Sequence, residues 1–381
     1  MISSDEDLDV NDYMIEDEIY DEMVEINIPF DPNKIKISNQ PMSVGMLLKD
    51  LEYNTIKLDT EFQRLPNLWD NTKKSQLIES LLLRLPIPTF YFDGADDNKW
   101  RVIDGLQRIS TLKSFVLDKS LTLEGMDFLR EFNGYKFDAL PRELQRRIEM
   151  FSLTVYVLEK GTPDDVKYIL FSRLNRGGLV LTPQEIRNAL HQGKGGASEF
   201  IKELVDDKNT EGALFIKATG GKIKKDRMQD RDFITRFISF YLIPYQKYEP
   251  DLDSFMTKGM GSLDKTGYTE RSDLKDGFRK SMETAIAIFE NDAFRKRFSM
   301  EDQRKPINKA LFEVISVCFS KLTDFERTKL VEKKSIFITY FIELHRNEKF
   351  IRSITQSTAK KDNVEYRFNS ILEIIKRTLE I

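Results

Sequence analysis

The first half of the chain alternates between helical and strand-like patterns of hydrophobic residues. After capping side chains at 70–72, apolar residues recur at the spacing of one helical face, at Leu77, Ile78, Leu81, Leu82 and Leu85. A Pro-Ile-Pro sequence ends that helix, and the aromatic-rich run 89–92 predicts a buried strand. Turn residues separate it from a second predicted strand at 100–103, after which a helical period resumes. Asp104-Gly105 therefore lies at a strand-to-helix junction.

Farther along, the pattern predicts one more strand and then helices to the end of the chain. Residues 153–158 alternate like a strand, and Thr162-Pro163-Asp164-Asp165 begins a helix that runs to Leu174. A capping box at 182–185 starts the next helix, and helical periodicity continues from there to Ile381. We therefore predict the α+β class, with an N-terminal α/β domain followed by an all-α domain.

Composition limits the class of protein. The 381 residues are 40% hydrophobic and 11% aromatic, which is enough for a full core in about two domains. The single cysteine, Cys318, cannot form an internal disulfide, and its apolar neighbours indicate ordinary core. Two histidines, His191 and His345, leave little material for a zinc site, and we expect His345 at a solvated helix end. The acidic start and the short apolar stretches favour a soluble, cytoplasmic protein without a membrane partner.

The net charge of −4 conceals two unlike parts. Residues 1–33 contain 12 acidic side chains and no Lys or Arg, so the remainder has 59 basic against 51 acidic groups, a net of +8. Two interpretations of this tail stay open: a solvated, flexible extension, or a segment that folds back over the basic body and mimics a polyanion. We divide the chain into the acidic tail, a nucleotide-binding α/β domain at 34–192 and a helical domain at 193–381.

The strongest chemical signal is the sequence Asp104-Gly105-Leu106-Gln107-Arg108 at the strand-to-helix junction. Gly105 allows a ligand close to the backbone, and the free N–H groups of the first helical turn favour an anion such as phosphate. A helix terminus contributes only ~0.3–1 kcal/mol, so arginines must add to binding, and Arg108 and Arg64 are the candidates. Asp104 is the candidate Mg²⁺ ligand. The structural alternative is that Asp104 merely caps the helix and Arg108 pairs with a surface acid.

A Gly-containing basic segment in the second half is the candidate nucleic-acid surface. Its candidate DNA contacts are Lys217, Lys222, Lys224, Lys225 and Arg227. Lysine and arginine side chains in such a loop can follow a phosphate backbone without reading its sequence. A solvated basic loop is the alternative. The sequence has no Walker-type Gly-x-x-x-x-Gly-Lys-Ser/Thr motif, so phosphate binding of that kind is excluded.

Several motifs follow one another in a fixed order through the first half of the chain. They are Phe62-Gln63-Arg64, Trp69, Gln76-Leu77-Ile78-Glu79-Ser80, Pro86-Ile87-Pro88, Val102 to Arg108, Phe171 to Gly178 and Leu181 to Ala189. In this order, residues 40–190 resemble the N-terminal domain family of GmrSD-type restriction systems. The resemblance implies a ParB/sulfiredoxin-like fold with a hallmark Asp-Gly-Gln-Gln-Arg loop. That loop is associated in the family with nucleotide binding and hydrolysis that gates DNA restriction.

The resemblance also implies roles for individual residues. Asp104, Gln107 and Arg108 would act on the nucleotide, with Asp104 as the Mg²⁺ ligand. The implied nucleotide-binding residues are Gln63, Arg64, Gly105, Arg108, Thr111, Asn175 and Arg176. Leu106 replaces the first glutamine of the hallmark, which removes an amide that could orient a phosphate or a water. Many family members carry or recruit an HNH nuclease, which two histidines cannot supply, so we expect no intrinsic HNH-type cleavage.

The primary prediction is a ParB-like nucleotide-binding protein, a Mg²⁺-dependent NTPase that acts in restriction or defence against foreign DNA. In this prediction a helical domain that binds DNA or a partner reads the nucleotide state, and ATP, GTP and CTP stay open as ligands. One alternative is a non-enzymatic regulator that binds nucleotide or DNA and recruits a separate nuclease. Another is a ParB-like nicking nuclease that uses carboxylates such as Asp59, Glu61 and Asp104.

Overall fold

The computed structural model describes residues 15–16, 35–58, 69–96, 99–174, 182–191 and 195–381. These residues form two compact units, one within 28–180 and the other within 181–381, and Ile15 and Glu16 belong to the second. The first unit mixes strands and helices, whereas the second is helical. The predicted class, α+β followed by all-α, is therefore confirmed. No helix in these ranges is long and apolar enough to cross a membrane.

A five-stranded mixed sheet forms the centre of the first unit. Its strands are β1 (Ile37–Asn39), β3 (Ile56–Lys57), β4 (Phe90–Gly94), β5 (Trp100–Asp104) and β7 (Val155–Glu159), and a separate pair joins β2 (Met42–Ser43) to β6 (Ser152–Leu153). The strand order in the sheet is β1-β7-β4-β5-β3. The middle strand, β4, is parallel to β7 and antiparallel to β5, and its Phe90 and Phe92 are fully buried. The predicted aromatic strand is thus the centre of the core.

Helices complete the first unit. They are α1 (Val44–Glu52), α2 (Asn71–Leu82), α3 (Leu106–Leu112), α4 (Arg142–Glu149) and α5 (Asp164–Leu174). As predicted, the Asp70 side chain caps α2 by accepting the N–H of Lys73 at 2.8 Å. Farther along α2, the buried Glu79 carboxylate accepts the backbone N–H groups of residues 127–129 at 2.7 to 3.1 Å. The motif residue Glu79 therefore fixes a loop.

The second unit consists of helices around an aromatic-rich core. In chain order they are α6 (Pro183–Leu190), α7 (Ala197–Val205), α8 (Thr210–Thr219), α9 (Gln229–Leu242), α10 (Leu252–Asp264), α11 (Tyr268–Phe289), α12 (Lys309–Ser320), α13 (Asp324–Glu332), α14 (Lys334–His345), α15 (Glu348–Thr355) and α16 (Lys361–Glu380). The predicted capping box starts α6, where Thr182 and Glu185 bond each other's backbone N–H groups. Cys318 is buried core, as predicted, and burial raises the pKa of its thiol.

Alternating charges run through the interior of the second unit. The fully buried Arg187 of α6 donates to Asp253 of α10 at 2.8 Å and to Asp232 of α9 at 3.1 Å. Burial would raise the pKa of Asp232, but the cations of Lys309, Arg236 and Arg187 together lower it to about 2. A residue of the second motif block thus anchors α6 to two helices of this unit.

The structure overturns the expectation that His345 is solvated. Its side chain is buried, and Nδ1–H donates to the Phe341 carbonyl oxygen at 2.8 Å. Three rings contact the imidazole, those of Phe298, Phe341 and Phe350, with centroid separations of 4.4 to 5.8 Å. Burial lowers the pKa of His345 to about 4, so the imidazole is neutral at pH 7. Phe341 and Phe350 are near neighbours of His345 in sequence, whereas Phe298, which completes the ring cluster, lies far from this helix end along the chain.

The neutral state of His345 makes stability sensitive to acid. Its pKa is about 4 in the folded protein against an ordinary 6.5, so only the unfolded chain takes up this proton between those values. Stability therefore falls as the pH drops from 6.5 to 4, by at most about 3 kcal/mol. Urea titrations of wild type and His345→Phe should show the difference in unfolding free energy changing by about 2 kcal/mol over this range. A difference in unfolding free energy that stays constant with pH would contradict a buried, neutral His345 imidazole in the folded protein.

Candidate functional site

The sequence Asp104–Arg108 forms the predicted strand-to-helix junction. β5 ends at Asp104, α3 begins at Leu106, and Gly105 between them has a φ of +106°. Glycine adopts this left-handed conformation without the strain that a side chain brings. A Cβ built on Gly105 would also overlap the ring of Phe90. The backbone conformation and the close approach of Phe90 therefore both require glycine.

Gly105→Ala is expected to destabilise the first unit by about 2–4 kcal/mol, because strain at positive φ and overlap with Phe90 add. The matched control is Gly134→Ala. Gly134 has a φ of +89°, but its built Cβ meets nothing within 4 Å, so only the backbone contribution applies. Urea unfolding of both variants measures the difference. Equal losses of stability in the two variants would show that overlap with the Phe90 ring does not destabilise Gly105→Ala.

Four groups hold the Arg108 side chain at this junction. Nη2 donates to Asp104 Oδ2 at 2.6 Å and to the Thr89 carbonyl oxygen at 3.2 Å, and Nη1 donates to the Pro88 carbonyl oxygen. Cζ lies 4.4 Å from the centroid of the Phe90 ring, within range of a cation–π interaction. The side chain is only 9% exposed. These contacts fix the guanidinium and use three of its five N–H donors.

Asp104 combines an ion-paired oxygen with access to solvent. Its side chain is 29% exposed. Burial raises the pKa of Asp104 above its ordinary value, against the lowering effects of the Arg108 charge and of the Gly105 N–H. A further cation beside the carboxylate would favour its charged form. Within the described ranges no group of three or more His, Cys, Asp or Glu side chains could hold a metal, so Mg²⁺ here would need phosphate oxygens and water as further ligands.

The structural alternative is met in part at this junction, because Arg108 does pair with an acid, whereas Asp104 does not cap the helix. The N-cap residue of α3 is Gly105, and no side-chain hydrogen bond caps that helix. The acid that pairs with Arg108 is Asp104 itself, four residues earlier in the same loop. The motif is therefore a self-contained acid–arginine pair across a glycine turn.

The other predicted nucleotide-site residues are placed differently. Gln107 is half-buried in the first turn of α3. Thr111 is fully buried, and its hydroxyl donates to the Gln107 carbonyl oxygen at 2.8 Å. We therefore leave Thr111 out of the proposed site. Four further candidates for the nucleotide site lie outside the described residues: Gln63, Arg64, Asn175 and Arg176. The carboxylates of the nicking-nuclease alternative, Asp59 and Glu61, also lie outside them.

Sequence reasoning missed the groups that fix Arg108, namely the carbonyls of Pro88 and Thr89 and the Phe90 ring. They lie at the start of β4, which the antiparallel pairing of β4 with β5 brings beside the junction. The available signal was the Pro86-Ile87-Pro88 motif, because its position outside helices and ladders leaves carbonyl oxygens for a side-chain donor.

The predicted DNA-contacting residues lie in the second unit, Lys217 in the last turn of α8 and the others between α8 and α9. The Lys222 side chain is half-buried. The other three lysines, Lys217, Lys224 and Lys225, are exposed. The fifth candidate, Arg227, donates two hydrogen bonds to the Glu185 carboxylate, at 2.8 and 2.9 Å. Arg227 therefore joins this segment to α6, while the lysines form its basic surface.

Comparison with known proteins finds a family model that matches part of the chain. Residues 44–192 match the family model described as GmrSD restriction endonuclease, N-terminal domain. No curated protein and no solved structure matches the chain, so the ParB/sulfiredoxin-like fold stays a prediction. The matched segment contains the Asp104–Arg108 junction and α6. Residues 44–192 are therefore similar to the N-terminal domain of GmrSD restriction endonucleases.

Proposed function

We propose that this protein binds a nucleoside triphosphate with Mg²⁺ at the Asp104–Arg108 junction and hydrolyses it within a restriction system. One observation carries the proposal: a fixed, nearly buried guanidinium lies beside a carboxylate that solvent can reach. A guanidinium that is already oriented loses little entropy on binding a phosphate. This geometry supports binding of the nucleotide more directly than its hydrolysis.

Each described residue of the junction has its own role in this proposal. Two Arg108 donors, on Nε and Nη1, are left for phosphate oxygens once its contacts with described residues are made. Gly105 lets phosphate approach the backbone N–H groups of the first helical turn. Asp104 would hold Mg²⁺, which when bound neutralises charge on the phosphates. Gln107 would orient a water or a phosphate oxygen.

Phosphate release tests the proposal. Each nucleoside triphosphate is incubated with Mg²⁺, with and without DNA, on the wild type and on Arg108→Ala. We expect turnover in the wild type and its loss in the variant. Turnover that survives in Arg108→Ala would place hydrolysis elsewhere. Strong Mg²⁺-dependent DNA cutting that survives Asp104 and Arg108 variants would contradict the expectation of no intrinsic nuclease, which stays a prediction.

The second candidate function is a non-enzymatic regulator that binds nucleotide or DNA and recruits a separate nuclease. Leu106 favours it, because an apolar side chain stands at the first helical position where the family hallmark has an amide. Binding of a nucleotide without phosphate release in the same assay would support this candidate. In both proposals the helical unit contacts DNA through Lys217 of α8 and the lysines between α8 and α9.

A further inference from the structure

Two residues of the acidic N-terminal segment, Ile15 and Glu16, are attached to the helical unit. Ile15 forms a parallel bridge with Ile307, and the Glu16 N–H donates to the Ile307 carbonyl oxygen at 2.9 Å. Ile307 also bridges Arg295 in the antiparallel direction. Ile15 and Glu16 therefore pair with a residue that already forms another β-bridge, a mode of attachment in which main-chain hydrogen bonds supply affinity.

Side chains make this attachment specific for an apolar residue followed by an acid. Ile15 packs against the hydrophobic core of the helical unit. One Glu16 oxygen lies 2.6 Å from Lys296 Nζ, and the other accepts from Asn308 Nδ2 at 3.0 Å. The side chains of the Lys296–Glu16 pair are 19% and 22% exposed. Such a pair is shielded from solvent, unlike exposed ion pairs of ~0–1 kcal/mol.

The attachment site lies in a strongly basic part of the chain. Residues 181–381 hold 37 basic against 31 acidic side chains, so this unit carries +6 of the net +8 outside the acidic tail. Residues 294–309 contain two acidic and six basic side chains. Arg295 is buried and Lys309 pairs with Asp232, which leaves Lys296, Arg297, Arg304 and Lys305 half-buried at the surface. Glu16 thus docks where positive charge is concentrated.

The same basic surface reaches the segment proposed to contact DNA. A Cβ built on Gly220 would lie 2.5 Å from Arg304 Nη2, so the Arg304 guanidinium lies directly against the turn that ends α8. Lys217 precedes this turn and Lys222 follows it. The segment that holds Glu16 and the lysines at and after the end of α8 therefore lie close together in the helical unit.

We propose that this surface binds the phosphate backbone of DNA and that the acidic N-terminal segment occupies it as a tethered competitor. The proposal rests on the DNA contact assigned above to the helical unit. The first 33 residues carry 12 acidic side chains and no basic one, a charge pattern that suits a surface made for phosphates. Because the segment is tethered, its effective concentration is of order ~1 mM, and DNA must displace it to bind.

A single charge reversal tests this competition. Glu16→Lys should bind a short fluorescein-labelled DNA duplex about 10-fold more tightly than the wild type, with a steeper salt dependence, because more phosphate contacts form. The matched control is Glu249→Lys. Glu249 belongs to the same unit, is 80% exposed and lies 3.8 Å from Lys258, so its reversal changes net charge equally without releasing the segment. Equal affinities of the two variants would overturn the proposal.

Carbodiimide cross-linking separates failure of the competition from failure of DNA binding. This reagent couples carboxylates to amines in direct contact, and peptide mass spectrometry identifies the Glu16–Lys296 product. We expect its yield to fall as DNA is added. A yield that stays constant while the duplex binds would overturn the competition and leave DNA binding intact. A duplex that binds neither the wild type nor Glu16→Lys would overturn DNA contact by this surface and with it the competition, while leaving nucleotide binding at the junction untouched.

Discussion

Arg108→Lys is expected to weaken binding of Mg²⁺–nucleotide about 100-fold, because lysine keeps the charge but loses the planar fork. The Arg108 guanidinium contacts Asp104 and two backbone carbonyls at once, and phosphate would take its remaining donors. A compact ammonium group has three donors and cannot span these partners. Losing two charge-assisted hydrogen bonds of ~1.5 kcal/mol each, the low end for such bonds, accounts for an effect of this size. Equilibrium titration with a fluorescent nucleotide measures it.

The first unit contains a matched control arginine. Arg147 donates to the Leu82 carbonyl oxygen at 3.1 Å and to Glu143, four residues earlier, also at 3.1 Å. Arg147→Lys therefore removes the same kind of contacts away from the junction, and we expect nucleotide affinity to change less than about twofold. Circular dichroism checks that both variants are folded. Equal losses of affinity would mean that Arg108 acts through the stability of the domain and not through the nucleotide.

Glu313→Gln is expected to destabilise the helical unit by about 3–5 kcal/mol, because it leaves a buried cation without its anion. The fully buried Glu313 carboxylate accepts from Arg367 Nε at 2.9 Å and Nη2 at 2.5 Å, and it lies 3.6 Å from Arg236 Nη1. Arg367 is itself 1% exposed. Urea unfolding followed by far-ultraviolet circular dichroism measures the loss.

Two further variants test this explanation. Glu373→Gln makes the same change at an exposed position of α16 and should alter stability by no more than about 0.5 kcal/mol. Adding Arg367→Met to Glu313→Gln should give a loss smaller than the sum of the single losses by about 1–3 kcal/mol, since the second change removes the stranded cation. Strictly additive losses would contradict the coupling between the two charges.

Local signals predicted the elements of this fold well. Asp70 before α2 and the Thr182–Glu185 box before α6 mark helix starts, because capping depends on residues within one turn. Gly105 at a strand end followed by a helical period located the junction for the same reason. The spacing of hydrophobic residues alone separates a first half with strands from a helical second half. The fold class could be predicted for this reason.

Helix caps and hydrophobic periodicity could not predict contacts between residues that are distant in sequence. Arg108 is held by carbonyls nineteen and twenty residues earlier, and Phe298 completes a ring cluster around His345 that the nearby Phe341 and Phe350 only begin. Neither full environment can be derived from neighbours in sequence. Arg187 belongs to a motif block, yet it is a buried anchor of the helical unit. Membership of a motif does not separate a ligand contact from a packing role, whereas burial and hydrogen-bond partners do.

Amide hydrogen exchange with and without Mg²⁺–nucleoside triphosphate tests the central claim most directly, because it reports where the nucleotide binds. We predict slower exchange in the peptide that spans Asp104 to Leu112, where phosphate would cover the first-turn N–H groups of α3. Peptides from α13 to α16 should exchange as before. Unchanged exchange at the junction with saturating nucleotide, or slowing confined to the helical unit, would contradict the claim that the Asp104–Arg108 junction is the nucleotide site.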